Sequence, residues 1–323
     1  QQSNESGNIN QANFFTAGSL VDELLGVQLY GQFTKRDEDD LVAGFRGKEQ
    51  NNLKAKFIVT PNKNHEVTLE LGRAEQTLDA TVGKTIAPLA PGDECGRSGC
   101  PESTTTQYEQ KTISVSHNGY YDFGSSNSYI KYDEYNNKSR EMLIKNTDAQ
   151  TMWSIPLASE HNATLGASYK KEDLTDHTSN KLSDVSQIDN EQWSIFSEDE
   201  WRTSELFALT GGIRYDHDGN FGGHISPRLY GVLNASDNLT VKGGISTGFK
   251  APSLRATTPE WGQVSRGGNI YGNANLAPEK SINYEVGVYY DKGEKFSTSA
   301  TVFYNQFDDK ISRIACPLTQ CTD

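Results

Sequence analysis

An all-β, antiparallel meander that crosses a membrane as a β-barrel is the fold this sequence predicts, and three observations predict it. Apolar residues recur at every second position in one segment after another, the period of a strand with one apolar face. The connections between these segments alternate short and long along the chain, as in outer-membrane barrels with tight turns at one end and loops at the other. Aromatic residues, among them Tyr120, Tyr121, Phe123, Trp153, Trp201, Tyr289, Tyr290 and Tyr304, gather near the expected segment ends, where interfacial girdles sit.

Reading the alternation in order gives about fourteen strand candidates and no amphipathic helix. The first lies around 13–20. Leu25, Val27, Leu29, Gly31 and Phe33 then alternate with polar or small neighbours, as do Leu53, Ala55, Phe57 and Val59. Val67, Leu69 and Leu71 follow, and then Ile113 and Val115. Segments 128–135, 145–157, 162–171 and 192–201 fill the middle. Phe207 to Tyr215, 226–233, Leu239 to Ile245, Ile282 to Tyr290 and Ala300 to Tyr304 complete the series. Short connections are expected at 21–24, 61–65, 119–125, 158–161, 202–205, 235–238 and 291–295. Long ones are expected at 37–50, 77–106, 136–141, 173–190, 216–223 and 251–280.

Composition is consistent with that class. The chain has 323 residues, 34% of them hydrophobic, and a net charge of -13. No run of about 18 apolar residues occurs, so no spanning helix is expected, whereas barrel strands are apolar only at alternate positions and score as polar overall. Fifteen tyrosines, thirteen phenylalanines and four tryptophans argue against disorder, which is poor in aromatics. The acidic balance and the lack of a Lys/Arg block argue against nucleic acid as a partner. No apolar leader opens the chain at Gln1-Gln2-Ser3-Asn4, so processing or an origin inside a longer protein is expected.

The four cysteines fall in two tight pairs, Cys95/Cys100 and Cys316/Cys321, within Gly/Pro/Thr-rich stretches. Local disulfides that staple exposed loops fit this spacing best and imply an oxidising compartment. Neither pair has the spacing or histidine partners of a zinc site. His217 and His224, with Asp216 and Asp218, bracket one connection, but the set reads as loop polarity rather than as a metal site. No nucleophile elbow or phosphate-binding glycine loop occurs, and no enzyme activity is expected.

The stretch Gly248-Phe249-Lys250-Ala251-Pro252-Ser253-Leu254, with Gly272-Asn273-Ala274-Asn275-Leu276-Ala277-Pro278-Glu279-Lys280-Ser281 running into the next strand, resembles the TonB-dependent outer-membrane receptors. The likeness is greatest to their catecholate-siderophore branch, of the enterobactin-receptor and colicin I receptor kind. Phe249, Pro252, Ser253, Asn275, Leu276, Pro278 and Glu279 carry it; their expected role is strand exit and re-entry, not binding. The resemblance implies a barrel of about 22 strands around a plug domain. No plug is legible, so residues 1–323 are expected to be a partial barrel domain.

The resemblance further implies capture of a ferric siderophore at the outer loops and its passage to the periplasm, driven by the TonB complex. Colicins or phages would land on the same loops, with lipopolysaccharide around the wall. No intrinsic cofactor is implied; the ferric siderophore is the cargo. A ferric tris-catecholate carries a charge of about −3 and flat aromatic faces, and so calls for cations beside aromatic rings. Arg255, Trp261, Arg266 and Tyr271 in the loop 251–280 meet that need, with Arg97 between the first cysteine pair, Tyr108 after that loop, and Arg313 before the second pair. The alternatives are a passive porin-like channel, a surface protein-binding barrel, and a soluble carbohydrate-binding β protein. For the arginines alone, contact with lipopolysaccharide phosphates or with solvent is the competing role.

Overall fold

The structure, a computed structural model, describes residues 5–95, 99–180, 183–265 and 268–315. Fourteen strands form one antiparallel meander whose order follows the chain, and two further strands make a separate hairpin. The fourteen expected strands are therefore present. The chain divides into two compact units, Gln1–Thr151 with Lys170–Asp189, and Met152–Tyr169 with Asn190–Asp323.

The first unit holds β1 (Ile9–Val21), β2 (Leu25–Arg36), β3 (Gly47–Asn62), β4 (His65–Ala80), β5 (Thr104–Tyr121) and β6 (Gly124–Asn137). It also takes most of β7 (Met142–Pro156) and the last part of β8 (His161–Asp176). The ladder register explains the alternation. Leu29, Ala55, Leu71 and Ile113 fall in one cross-strand row, and Val27, Phe57, Leu69, Val115 and Ile130 in the next. These side chains share one face, and many are bare: Leu53 is 46% exposed, Ile113 49% and Ile130 54%. A continuous apolar face of that kind is a lipid-facing surface, with the polar residues between its members turned to the lumen. Just past Leu71 and Ile113 the same face turns ionic. There Arg73 reaches Glu109 at 3.0 Å and Lys111 reaches Glu134 at 3.1 Å, which ends the apolar band.

The second unit contains the rest of β9 (Gln187–Arg202), then β10 (Phe207–Asp218), β11 (Gly222–Ser236) and β12 (Leu239–Lys250). After β12 come the short helix α1 (Leu254–Thr257) and the hairpin of β13 (Gly262–Ser265) and β14 (Gly268–Tyr271). β15 (Glu279–Asp291) and β16 (Ser297–Asp308) follow. Here too one face is apolar: Gly211, Leu229, Ile245, Tyr284 and Tyr304 form one row, with Ile213 and Val286 exposed beside it. Tyr304 thus lies in mid-strand opposite Tyr284, while Tyr121, Trp201 and Tyr290 occupy the tight-turn end as expected.

Two expected long connections are short. Residues 138–141 and 219–221 are all that separates β6 from β7 and β10 from β11, because pairing continues well past the bilayer. β4 has 16 residues and β5 has 18, where about 9–11 suffice to cross. The polar residues read as loop are thus strand residues whose backbone groups pair with each other rather than with water.

Candidate functional site

The expected site residues divide between the two units. In the first, Tyr108 sits on the lumen face of β5, in a cross-strand row with Gln50, Gln76 and Asn137. The adjoining row brings in Asn52, Gln110 and Tyr135. Together they line a cleft of about 290 Å³. Tyr108 and Tyr135 are 41% and 40% exposed, so two phenol rings and a bank of amides face it. Such a surface can stack a flat ring and exchange hydrogen bonds with its hydroxyls. Tyr108 was legible in the sequence; Gln50, Gln76, Gln110 and Tyr135 were not, since only cross-strand register brings them together.

Beside this cleft two loops lock together. Asp39, 5% exposed, accepts hydrogen bonds from the backbone N–H of Gly7 at 2.8 Å and of Phe45 at 2.9 Å, and from Arg36 Nη2 at 2.6 Å. Those backbone donors first, and then Arg36 against the penalty of burial, hold its carboxyl below the ordinary value. For Glu38, burial pushes the pKa up, but hydrogen bonds from Thr81 and Thr85 outweigh it and the net shift is downward. Thr81 donates its backbone N–H at 2.5 Å, and Thr85 donates its hydroxyl. A depressed carboxylate contributes stability that is full above its unfolded pKa, about 3.9 for Asp, and is lost as pH falls through the folded value. The segments 37–46 and 81–86 are thus expected to loosen below about pH 4. Hydrogen exchange at neutral and acid pH checks this, with Glu38→Gln and Asp39→Asn together expected to remove most of the pH dependence; identical protection at both pH values would refute it.

In the second unit, α1 carries Arg255 and the hairpin carries Tyr271. Trp261 is only 1% exposed. Its ring therefore forms the core of the loop 251–278 rather than an open stacking platform, with the Arg255 guanidinium 5.4 Å from the ring centroid. The backbone closes around it: Trp261 N–H donates to Thr258 O at 3.0 Å, Gly272 N–H to Trp261 O at 3.3 Å and Asn273 N–H to Ala256 O at 2.7 Å. Gly272 is required there, because a Cβ would lie 2.1 Å from Thr258 O. Among the described residues Trp261 Nε1 has no acceptor.

The motif residues occupy the base of this loop. Phe249 stacks on His224 at 4.7 Å, Pro252 is buried, and Ser253 takes the N-cap position of α1 without a side-chain cap bond. The Asn275 N–H donates to Asn273 Oδ1 at 2.9 Å, Leu276 N–H donates to Asn273 O, and Pro278 leads into β15. Glu279 begins β15, accepting from Lys250 Nζ at 3.1 Å and from the Ile311 N–H at 2.8 Å. Cys95 and Cys100 are disulfide-bonded. Arg313 is exposed beyond β16. Arg97, Arg266, Cys316 and Cys321 lie outside the described residues. Among the described residues no group of three or more metal-ligating side chains occurs.

A fourteen-stranded meander with a lipid-facing and a polar face defines an outer-membrane β-barrel. Residues 6–322 match the TonB dependent receptor-like, beta-barrel family, and the chain belongs to it. It is 46% identical over its whole length to the iron-regulated outer membrane virulence protein of Vibrio cholerae, covering 48% of that protein. It is 26% identical to the ferric enterobactin receptor PirA of Pseudomonas aeruginosa, over 96% of this chain and 49% of that one. The chain thus spans about half the length of the curated relatives it matches. Among solved structures, the siderophore receptor PirA from Pseudomonas aeruginosa superposes with a TM-score of 0.75 at 25% identity, over 95% of this chain and 53% of that one.

Proposed function

We propose that this chain is the wall of a receptor that captures a ferric siderophore of the catecholate type and passes it to the periplasm with energy from the TonB complex. The observation that supports this best is the likeness along nearly the whole chain to proteins named as ferric enterobactin receptors. The cleft at Tyr108 and Tyr135 supplies the ring chemistry such a ligand needs, and Arg255, held against the buried Trp261, supplies a cation. The exposed loops are the surface a colicin or phage would engage, and the apolar face meets lipid and lipopolysaccharide.

The test is tryptophan quenching of the detergent-purified receptor that carries this chain, titrated with a ferric tris-catecholate, haem and cobalamin. Saturable quenching by the catecholate alone is expected. In the same titration Arg255→Ala is expected to weaken the catecholate by about 1–3 kcal/mol. A response to none of the three would sink the siderophore reading and shift weight to a passive channel, for which conductance is the next measurement.

A further inference from the structure

On the lumen face of the second unit, three cations each lie over an aromatic ring. Arg214 sits 5.5 Å from the Phe196 centroid, Arg228 5.8 Å from Tyr230, and Lys242 5.1 Å from Tyr289. The register arranges them as a diagonal. Arg214 pairs with Phe196 and with Ser226. Arg228 lies one same-face position nearer the tight-turn end, opposite Ser246. Tyr230 is one step further, opposite Gly244; Lys242 is the next, opposite Gly287; and Tyr289 is the last, opposite Thr240. Every step down the polar face therefore carries a cation or a ring, over about 27 Å at 3.4 Å per residue.

The rings lie flat because each crosses a glycine. A Cβ on Gly166 would stand 2.1 Å from Phe196, one on Gly244 2.3 Å from Tyr230, and one on Gly287 3.0 Å from Tyr289. Within this chain the cations are not buried, with the side chain of Arg214 42% and that of Arg228 51% exposed. Carboxylates flank the upper part: Asp216 pairs with Arg214 at 2.8 Å, Glu198 with Arg228 at 3.1 Å, and Glu285 accepts the Tyr230 hydroxyl. Among the described residues Lys242 has no carboxylate within ion-pair distance.

We propose that Arg214/Phe196, Arg228/Tyr230 and Lys242/Tyr289 form a transit track, handing an anionic, aromatic chelate from the long-loop end toward the tight-turn end. A ligand with both negative charge and flat rings gains from each step, while the carboxylates beside Arg214 and Arg228 keep the first two steps from holding it. A neutral sugar or an apolar solute would gain from neither feature. The inference rests on the siderophore reading above and concerns passage rather than capture.

The experiment uses the whole receptor in energised cells, with iron-labelled ferric tris-catecholate, reading surface binding in the cold and uptake rate on warming. The neutral pair Arg228→Gln with Lys242→Gln is expected to bind like wild type but to take up chelate about five- to tenfold more slowly. The charge-keeping pair Arg228→Lys with Lys242→Arg is expected to recover most of that rate at equal surface abundance. Undiminished uptake by the neutral pair overturns the track, and so does a charge-keeping pair as slow as the neutral one. A wild-type receptor that captures no ferric catecholate overturns the functional reading and the track with it.

Discussion

Trp261→Ala is expected to cost about 3–5 kcal/mol of local stability, the range for removing a large buried aromatic. The ring is the one large apolar side chain buried below 2% exposure among the described residues, so no neighbouring core can take over its role. The loop 251–278 owes its shape to that ring and to backbone bonds formed around it. Emptying the site leaves α1, only four residues long, too short to persist alone. Limited proteolysis of the folded barrel should then cut between 254 and 272 at rates far above wild type, while the strands stay protected. Equal resistance in both proteins would show that the ring does not organise the loop.

Asp218→Ala is expected to cost about 2–3 kcal/mol, because a buried acceptor is lost while its donors remain. Asp218 is 1% exposed and takes hydrogen bonds from Asn190 Nδ2 at 2.8 Å, from the side-chain amide of Gln192, and from the N–H groups of Asn220 and Phe221 at 2.9 and 3.1 Å. It therefore ties the 219–221 turn to β9. Asp218→Asn, which keeps one acceptor oxygen, should recover about half the loss. Unfolding in denaturant, followed by tryptophan emission, measures both; an alanine variant as stable as wild type would discard this account.

The strands were legible because their signal is local. Leu53 to Val59 and Leu239 to Ile245 alternate over enough residues to identify strand and apolar face together. Strand ends were less legible: the apolar signal stops where lipid stops, while pairing continues into polar residues such as Gln76 and Gln107. Candidate site residues stood out in the sequence where cations and rings crowd one loop, as at Arg255, Trp261 and Tyr271, or follow one, as at Tyr108. The burial of Trp261 was not, since exposure depends on how a loop folds on itself. Nor were Arg228, Lys242 and Tyr289, which neighbour one another only through register. Their best clue in the sequence was glycine at 244 and 287 inside otherwise regular strands, a mark of close cross-strand approach.

The length of β5 has an immunological consequence. Its eighteen residues, tilted by about 40°, rise roughly 45 Å against an apolar band of about 25 Å. Roughly 20 Å of hydrogen-bonded wall therefore extends beyond the apolar band. An antibody approaching the cell meets side chains from several strands locked in register, not a pliant peptide. Sera raised against denatured protein should recognise this region poorly, and a vaccine antigen built on it would need its strand pairing kept intact.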